Sequence, residues 1–126
     1  MKNLQSENSI SITETSDFLI VTLSGELNNM DIYTISDMIM TKSYKKNKHG
    51  VIFNFSMVTV IDSYMFNEFY KMTLSLKLIG TNTVWIGLRP GLVSALMDLN
   101  ISYDENKIMS AISLEEGFEI LYRLKR

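Results

Sequence analysis

Val51-Ile52-Phe53-Asn54-Phe55 restricts the fold more than any other stretch of this 126-residue chain. Gly50 opens the run, and its residues are β-formers in nearly unbroken apolar order. A strand with one wet face alternates apolar and polar residues, whereas a run like this suits a central strand covered on both faces. The segment that follows reads as a helix from about Tyr64 to Ile79. Met65, Phe69, Met72, Leu76 and Ile79 recur there at steps of three and four, which places them on one face. Strand into helix is the repeating unit of an α/β sheet.

The rest of the chain fits that frame. Residues 1–8 are polar and expected to fray, leaving 9–126 as a single domain. Ser9 to Ile12 and Phe18 to Leu23 read as strands joined by a hairpin turn at Glu14-Thr15-Ser16-Asp17, and Ser24 to Asn29 is expected to break the second strand. A helix from about Asp31 to Lys46 carries Ile32, Ile35 and Ile39 on one face. Gly80-Thr81-Asn82 has turn chemistry, and Thr83 to Leu88 is another buried strand. Arg89-Pro90-Gly91 leads into a short helix packed through Leu92, Val93, Leu96 and Met97. Ser102 to Ile112 is irregular with edge-strand character. A last helix opens with the capping box Ser113…Glu116 and packs through Leu114, Phe118 and Leu121.

Several function classes are disfavoured. A net charge of −2 gives no electrostatic footprint for nucleic acid or an anionic membrane. There are no cysteines, and no apolar run approaches the length of a membrane span, so a soluble cytoplasmic protein is expected. His49, the one histidine, lies in the lysine-rich loop Lys45 to Gly50, without the positioned partner that acid–base catalysis requires. The glycines are scattered singly, with no phosphate-cradling motif, and the acidic residues show no ligand-like spacing. Catalytic residues, metal and cofactor are accordingly expected to be absent.

The junction Asp62-Ser63 carries the chemistry. Asp and Ser are common helix caps, which is one reading of the pair. The other is regulatory: a phosphate on Ser63 would meet unpaired N–H groups and a favourable dipole at the helix start. Phe66, Tyr70, Leu74 and Leu78 recur every four residues on the side of the helix opposite its core stripe. A helix apolar on two sides is either buried all round or used to contact a partner; a partner surface is expected, with deeper burial as the alternative. In an open α/β sheet, strand-to-helix junctions share one edge, which could bring Arg89 near Ser63 or leave it a plain surface arginine.

Four segments together resemble the STAS domain, the sulfate-transporter and anti-sigma-factor-antagonist domain. They are Leu23-Ser24-Gly25-Glu26-Leu27, Val60-Ile61-Asp62-Ser63-Tyr64, Gly87-Leu88-Arg89-Pro90-Gly91-Leu92-Val93 and Ser113-Leu114-Glu115-Glu116-Gly117. The likeness runs from about Ile10 to Leu124. It implies an α/β, SpoIIAA-like fold: a mixed sheet of about five strands flanked by four helices. It also implies that Ser63 is a phosphoacceptor, with Asp62, Tyr64, Phe66, Tyr70, Leu74, Arg89, Pro90 and Gly91 as partner-binding residues. The aromatic Tyr64 after the serine resembles RsbS-type stressosome proteins, whereas simple antagonists often have a second Ser and a Gly. The short helix offers only Ser94 as a hydroxyl, unlike the larger sensor-bearing members, and 101–112 lacks the family's usual glycine.

The implied role is a non-catalytic scaffold that sequesters a switch serine/threonine protein kinase of the anti-sigma-factor type. Phosphorylation of Ser63 would release that kinase. Sensor-bearing STAS scaffold proteins are the implied co-partners, in homo- or hetero-oligomers. A free-standing anti-sigma-factor antagonist that binds when unphosphorylated is the alternative. A small-ligand site at the junction is a third reading, from a different class.

Overall fold

A computed structural model describes residues 8–27, 31–89 and 108–125. Five strands form one sheet in the order β1-β2-β3-β4-β5: β1 (Asn8–Glu14), β2 (Phe18–Leu27), β3 (Gly50–Ile61), β4 (Asn82–Ile86) and β5 (Met109–Ala111). β1 pairs antiparallel with β2, and every later pairing is parallel. Three helices are described: α1 (Ile32–Lys45), α2 (Ser63–Leu78) and α3 (Leu114–Leu124). The short helix expected after Pro90 and the irregular stretch up to 107 lie outside the described residues, as do residues 1–7. The ordered chain starts at least one residue earlier than the expected boundary at Ser9, since Asn8 already pairs with Gly25.

The apolar run of β3 is continuous because both of its faces are covered. Val51, Phe53 and Phe55 join the larger core with α1 and α2, while Ile52 joins Val84, Ile86, Phe18 and Leu121 beneath α3. Phe53, Phe55, Phe69 and Trp85 meet mostly edge-on, at centroid distances of 5.0–6.4 Å. This is the geometry aromatic quadrupoles prefer. The buried indole of Trp85 donates from Nε1 to Thr73 Oγ1 at 2.9 Å, and Thr73 Oγ1 donates to the Phe69 carbonyl at 3.0 Å. α2 is thereby hydrogen-bonded to β4 through the core. α3 approaches the sheet closely: a Cβ on Gly50 would sit 2.8 Å from both Leu121 methyl carbons.

Two expectations are corrected here. β2 does not break at Ser24 but continues to Leu27, and β3 runs on to Ile61. Register shifts between Thr22/Ser24 and Gly25/Glu26 each place an extra β3 residue opposite β2. Those bulges change the inward period from two to three, so Phe55, Val58 and Ile61 are buried while Met57, Thr59 and Val60 are exposed. The first three strands thus extend past the last β3–β4 pair, Asn54↔Ile86, and beyond Gly25 β2 and β3 continue as a pair.

The second correction concerns α2. Phe66 and Tyr70 are buried in the main core, and Leu74 is half-buried against it. Phe66 sits edge-on to Trp85 at 5.5 Å. Both sides of α2 are covered because α1 shares its sheet face and feeds Ile32, Ile35 and Ile39 into the same cluster. Of that stripe only Leu78 is exposed, so Phe66, Tyr70 and Leu74 do not form an open partner surface.

Candidate functional site

α1 and α2 both start where a parallel strand ends, which sets their N-termini side by side at the carboxyl edge of the sheet. Their opening residues repeat one pattern, Asp31-Ile32-Tyr33 and Asp62-Ser63-Tyr64. In each the aspartate is the N-cap. Asp31 Oδ1 accepts from the Thr34 amide at 3.2 Å, and Asp62 Oδ1 accepts from the Met65 amide at 2.8 Å. The capping reading of Asp62 is therefore correct for the aspartate. It leaves the serine uncommitted, because the helix uses its neighbour's carboxylate.

Ser63 is the first residue of α2 and is half-buried at this edge. The Met65 amide is taken by Asp62 Oδ1 and the Phe66 amide by the Asp62 carbonyl. The amides of Ser63 and Tyr64 precede the first intrahelical acceptor, so an added anion would meet donors there. Tyr64 is exposed, and Tyr33 at the start of α1 is near enough to act on its phenol. Partial desolvation, with the Glu68 carboxylate and the Tyr33 hydroxyl, pushes the Tyr64 phenol above its ordinary value, so it stays protonated at neutral pH. Glu68 in turn pairs with Lys71 at 2.9 Å. Tyr33 was missed by sequence reasoning, although the repeated Asp-x-Tyr opening could have revealed it.

Arg89 reaches the same edge but not as an ion-pair partner of Asp62. Its guanidinium donates from Nη1 to the Ser56 carbonyl at 3.2 Å and from Nη2 to the Val58 carbonyl. It clamps the outer, bulged end of β3, whose bend is also held by Asn54 Oδ1 accepting from the Ser56 amide and hydroxyl. Gly87, at φ 83°, makes that approach possible: a Cβ there would lie 2.5 Å from the Ser56 nitrogen. Pro90 and Gly91 lie outside the described residues.

A groove of about 700 Å³ lies elsewhere, lined by Thr73, Leu74, Lys77, Leu78, Asn82, Thr83 and Met109. It borders the C-terminal half of α2, so the junction by Ser63 and Gly87 does not line it. Among the described residues no three His, Asp or Glu side chains gather as metal ligands. No described helix is long and apolar enough to cross a membrane.

No family model and no curated relative matches the sequence. Solved structures do match the fold. A serine-to-glutamate variant of RsbS from Moorella thermoacetica superposes with a TM-score of 0.78 at 17% identity, over 91% of this chain and 96% of the other. A chain of the stressosome, a signal integration and transduction hub, matches at 0.78 and 19% identity, over 92% and 99%. The anti-sigma factor antagonist SpoIIAA in its unphosphorylated form matches at 0.71 and 17%, over 94% and 100%. The phosphorylated form of Bacillus SpoIIAA matches at 0.65 and 18%, over 93% and 100%. Near-complete coverage in both directions, with the same mixed five-stranded sheet, gives this chain the STAS fold of the anti-sigma-factor antagonists.

Proposed function

We propose that this chain is a non-catalytic regulatory scaffold that holds a switch serine/threonine protein kinase and releases it when Ser63 is phosphorylated. The observation that carries the reading is the division of labour at the start of α2, where Asp62 caps the helix and Ser63 opens it with its hydroxyl uncommitted. Phosphate would add about −1.5 to −2 charges at neutral pH, beside the carboxylate of Asp62. For the domain this is tolerable, because the dipole and first-turn amides favour an anion there. For a docked partner it means like-charge repulsion and desolvation. A cost of about 3 kcal/mol would loosen binding roughly a hundredfold.

The docking residues are Asp62, Tyr64 and Tyr33, with Arg89 holding the bulged end of β3 beside them. Likeness in fold to RsbS and to SpoIIAA, the latter solved with and without its phosphate, supports this reading. Sensor-bearing STAS proteins are the proposed companions in the assembly. The test is titration of the native kinase against wild type, Ser63→Ala and Ser63→Asp, with mass spectrometry of the protein after incubation in native lysate and ATP. Ser63→Ala should bind like wild type and Ser63→Asp should bind far more weakly. Equal affinity for all three would remove the gate.

A further inference from the structure

The groove beside the C-terminal half of α2 carries unused hydrogen-bond donors at one end. Side chains alternate along β4: Val84 and Ile86 lie beneath α3, so Thr83 and Trp85 face α2. Thr83 lines the groove, is 3% exposed, and its Oγ1 finds no hydrogen-bond partner among the described residues. Buried hydroxyls are nearly always paired, so an orphan on a groove wall points to a partner from outside the chain. Two more donors stand at the same end, where α2 stops and β4 begins: the Asn82 side-chain amide and the Lys77 ammonium. Neither is engaged among the described residues, and no carboxylate is among those lining the groove. The Leu76 and Lys77 carbonyls, which would repel an anion there, accept from the Ile79, Thr81 and Gly80 amides. Away from that cluster the wall is apolar. Leu74 and Leu78 stand one turn apart on α2, and Leu78 is 88% exposed. Thr73 adds no free donor, since its hydroxyl lies between Trp85 and the Phe69 carbonyl.

We propose that this groove binds a small amphipathic carboxylate, an acid with an alkyl tail taken up as a single dissolved molecule. The head would lie among Lys77, Asn82 and Thr83, three donors with no competing acid. The tail would run along Leu74 and Leu78, covering apolar surface that now faces water. A neutral ligand would leave Lys77 unmatched, and a wholly polar anion would leave the leucines exposed. A cavity of about 700 Å³ falls within the range that takes such ligands. The site lies at the opposite end of α2 from Ser63 and does not rest on the phosphorylation reading.

The experiment is a heteronuclear NMR titration of the full chain with decanoate, kept below its micelle concentration. Signals from the Asn82 side chain and the Thr83 amide should shift saturably, with a Kd of about 1 mM or tighter for so small a ligand. Dodecanoate should bind roughly fifteenfold tighter, since each buried methylene contributes about fourfold. Acetate, the head alone, should leave both signals unmoved. Lys77→Gln should weaken decanoate about fivefold while leaving decanol unchanged. Thr83→Val keeps the side-chain shape and should also weaken decanoate about fivefold, with a urea midpoint equal to wild type or higher. Signals that stay still up to about 10 mM decanoate overturn the proposal. So does a Kd that neither substitution changes, or one indifferent to tail length. A lowered midpoint for Thr83→Val overturns it too, because the hydroxyl would then be satisfied within the chain.

Discussion

The two ends of the sheet are built by opposite rules. At the amino edge, polar groups are tied to each other: Lys48, 8% exposed, donates from Nζ to the Thr15 and Ser16 carbonyls and lies 3.6 Å from Glu14. Thr81 donates to the Lys48 carbonyl, and His49 and Asn82 continue the chain of backbone bonds between β2, β3 and β4. At the carboxyl edge, by contrast, Asp62 secures the helix while Ser63 and Tyr64 remain accessible, and β3 runs out past its β4 partner. One edge closes the fold. The other can change its charge without opening it.

Substitutions that strain this contrast rank by size. Gly87→Ala should be the most damaging, at about 3 kcal/mol, because it combines a left-handed backbone with a clash against the Ser56 main chain. Urea unfolding measures it, and an unchanged midpoint would refute the close approach. Lys48→Met should cost about 2 kcal/mol, through lost charge-assisted bonds to two carbonyls, whereas Lys45→Met on the surface should be nearly neutral. Equal midpoints for the two would erase the distinction between locked and solvated lysines. Asp62→Ala should cost about 1 kcal/mol as a lost cap, with Asp62→Asn recovering most of it.

Glu14→Gln should have the smallest effect and a pH signature. Hydrogen bonding to Lys42, aided by Lys46 and Lys48, holds the Glu14 carboxyl below its ordinary value of 4.5. A depressed value means stabilisation that is present above 4.5 and is lost as pH falls through the lower folded value. The wild-type advantage over Glu14→Gln should therefore be full at pH 7 and vanish in acid. A difference that persists or grows in acid would contradict the ion-pair account.

How much of this was legible in the sequence follows from which patterns are local. The run Val51–Phe55 and the core stripe of α2 from Met65 to Leu76 declared themselves, since each obeys a single period, whereas Ile79, expected to close that stripe, caps the helix and is exposed. The outer half of β3 did not, because its two bulges replace alternation with a period of three that depends on pairing with β2. Phe66 and Tyr70 misled for a related reason. A second apolar stripe looks the same whether a partner or α1 covers it, and only the packing of α1 on the same sheet face decides. At the site, Asp62 and Ser63 were readable from cap chemistry. Tyr33 was not sought, because its relation to Tyr64 crosses from one helix to the next.

Trp85 is the chain's one tryptophan, and its indole is anchored to α2 through Thr73. Indole fluorescence responds to the polarity around the ring, so the molecule carries a native optical probe of where that helix sits. If a phosphate at Ser63 leaves α2 in place, the emission stays as it was. A shift on modification would mean that the signal travels through the body of the protein as well as across its surface.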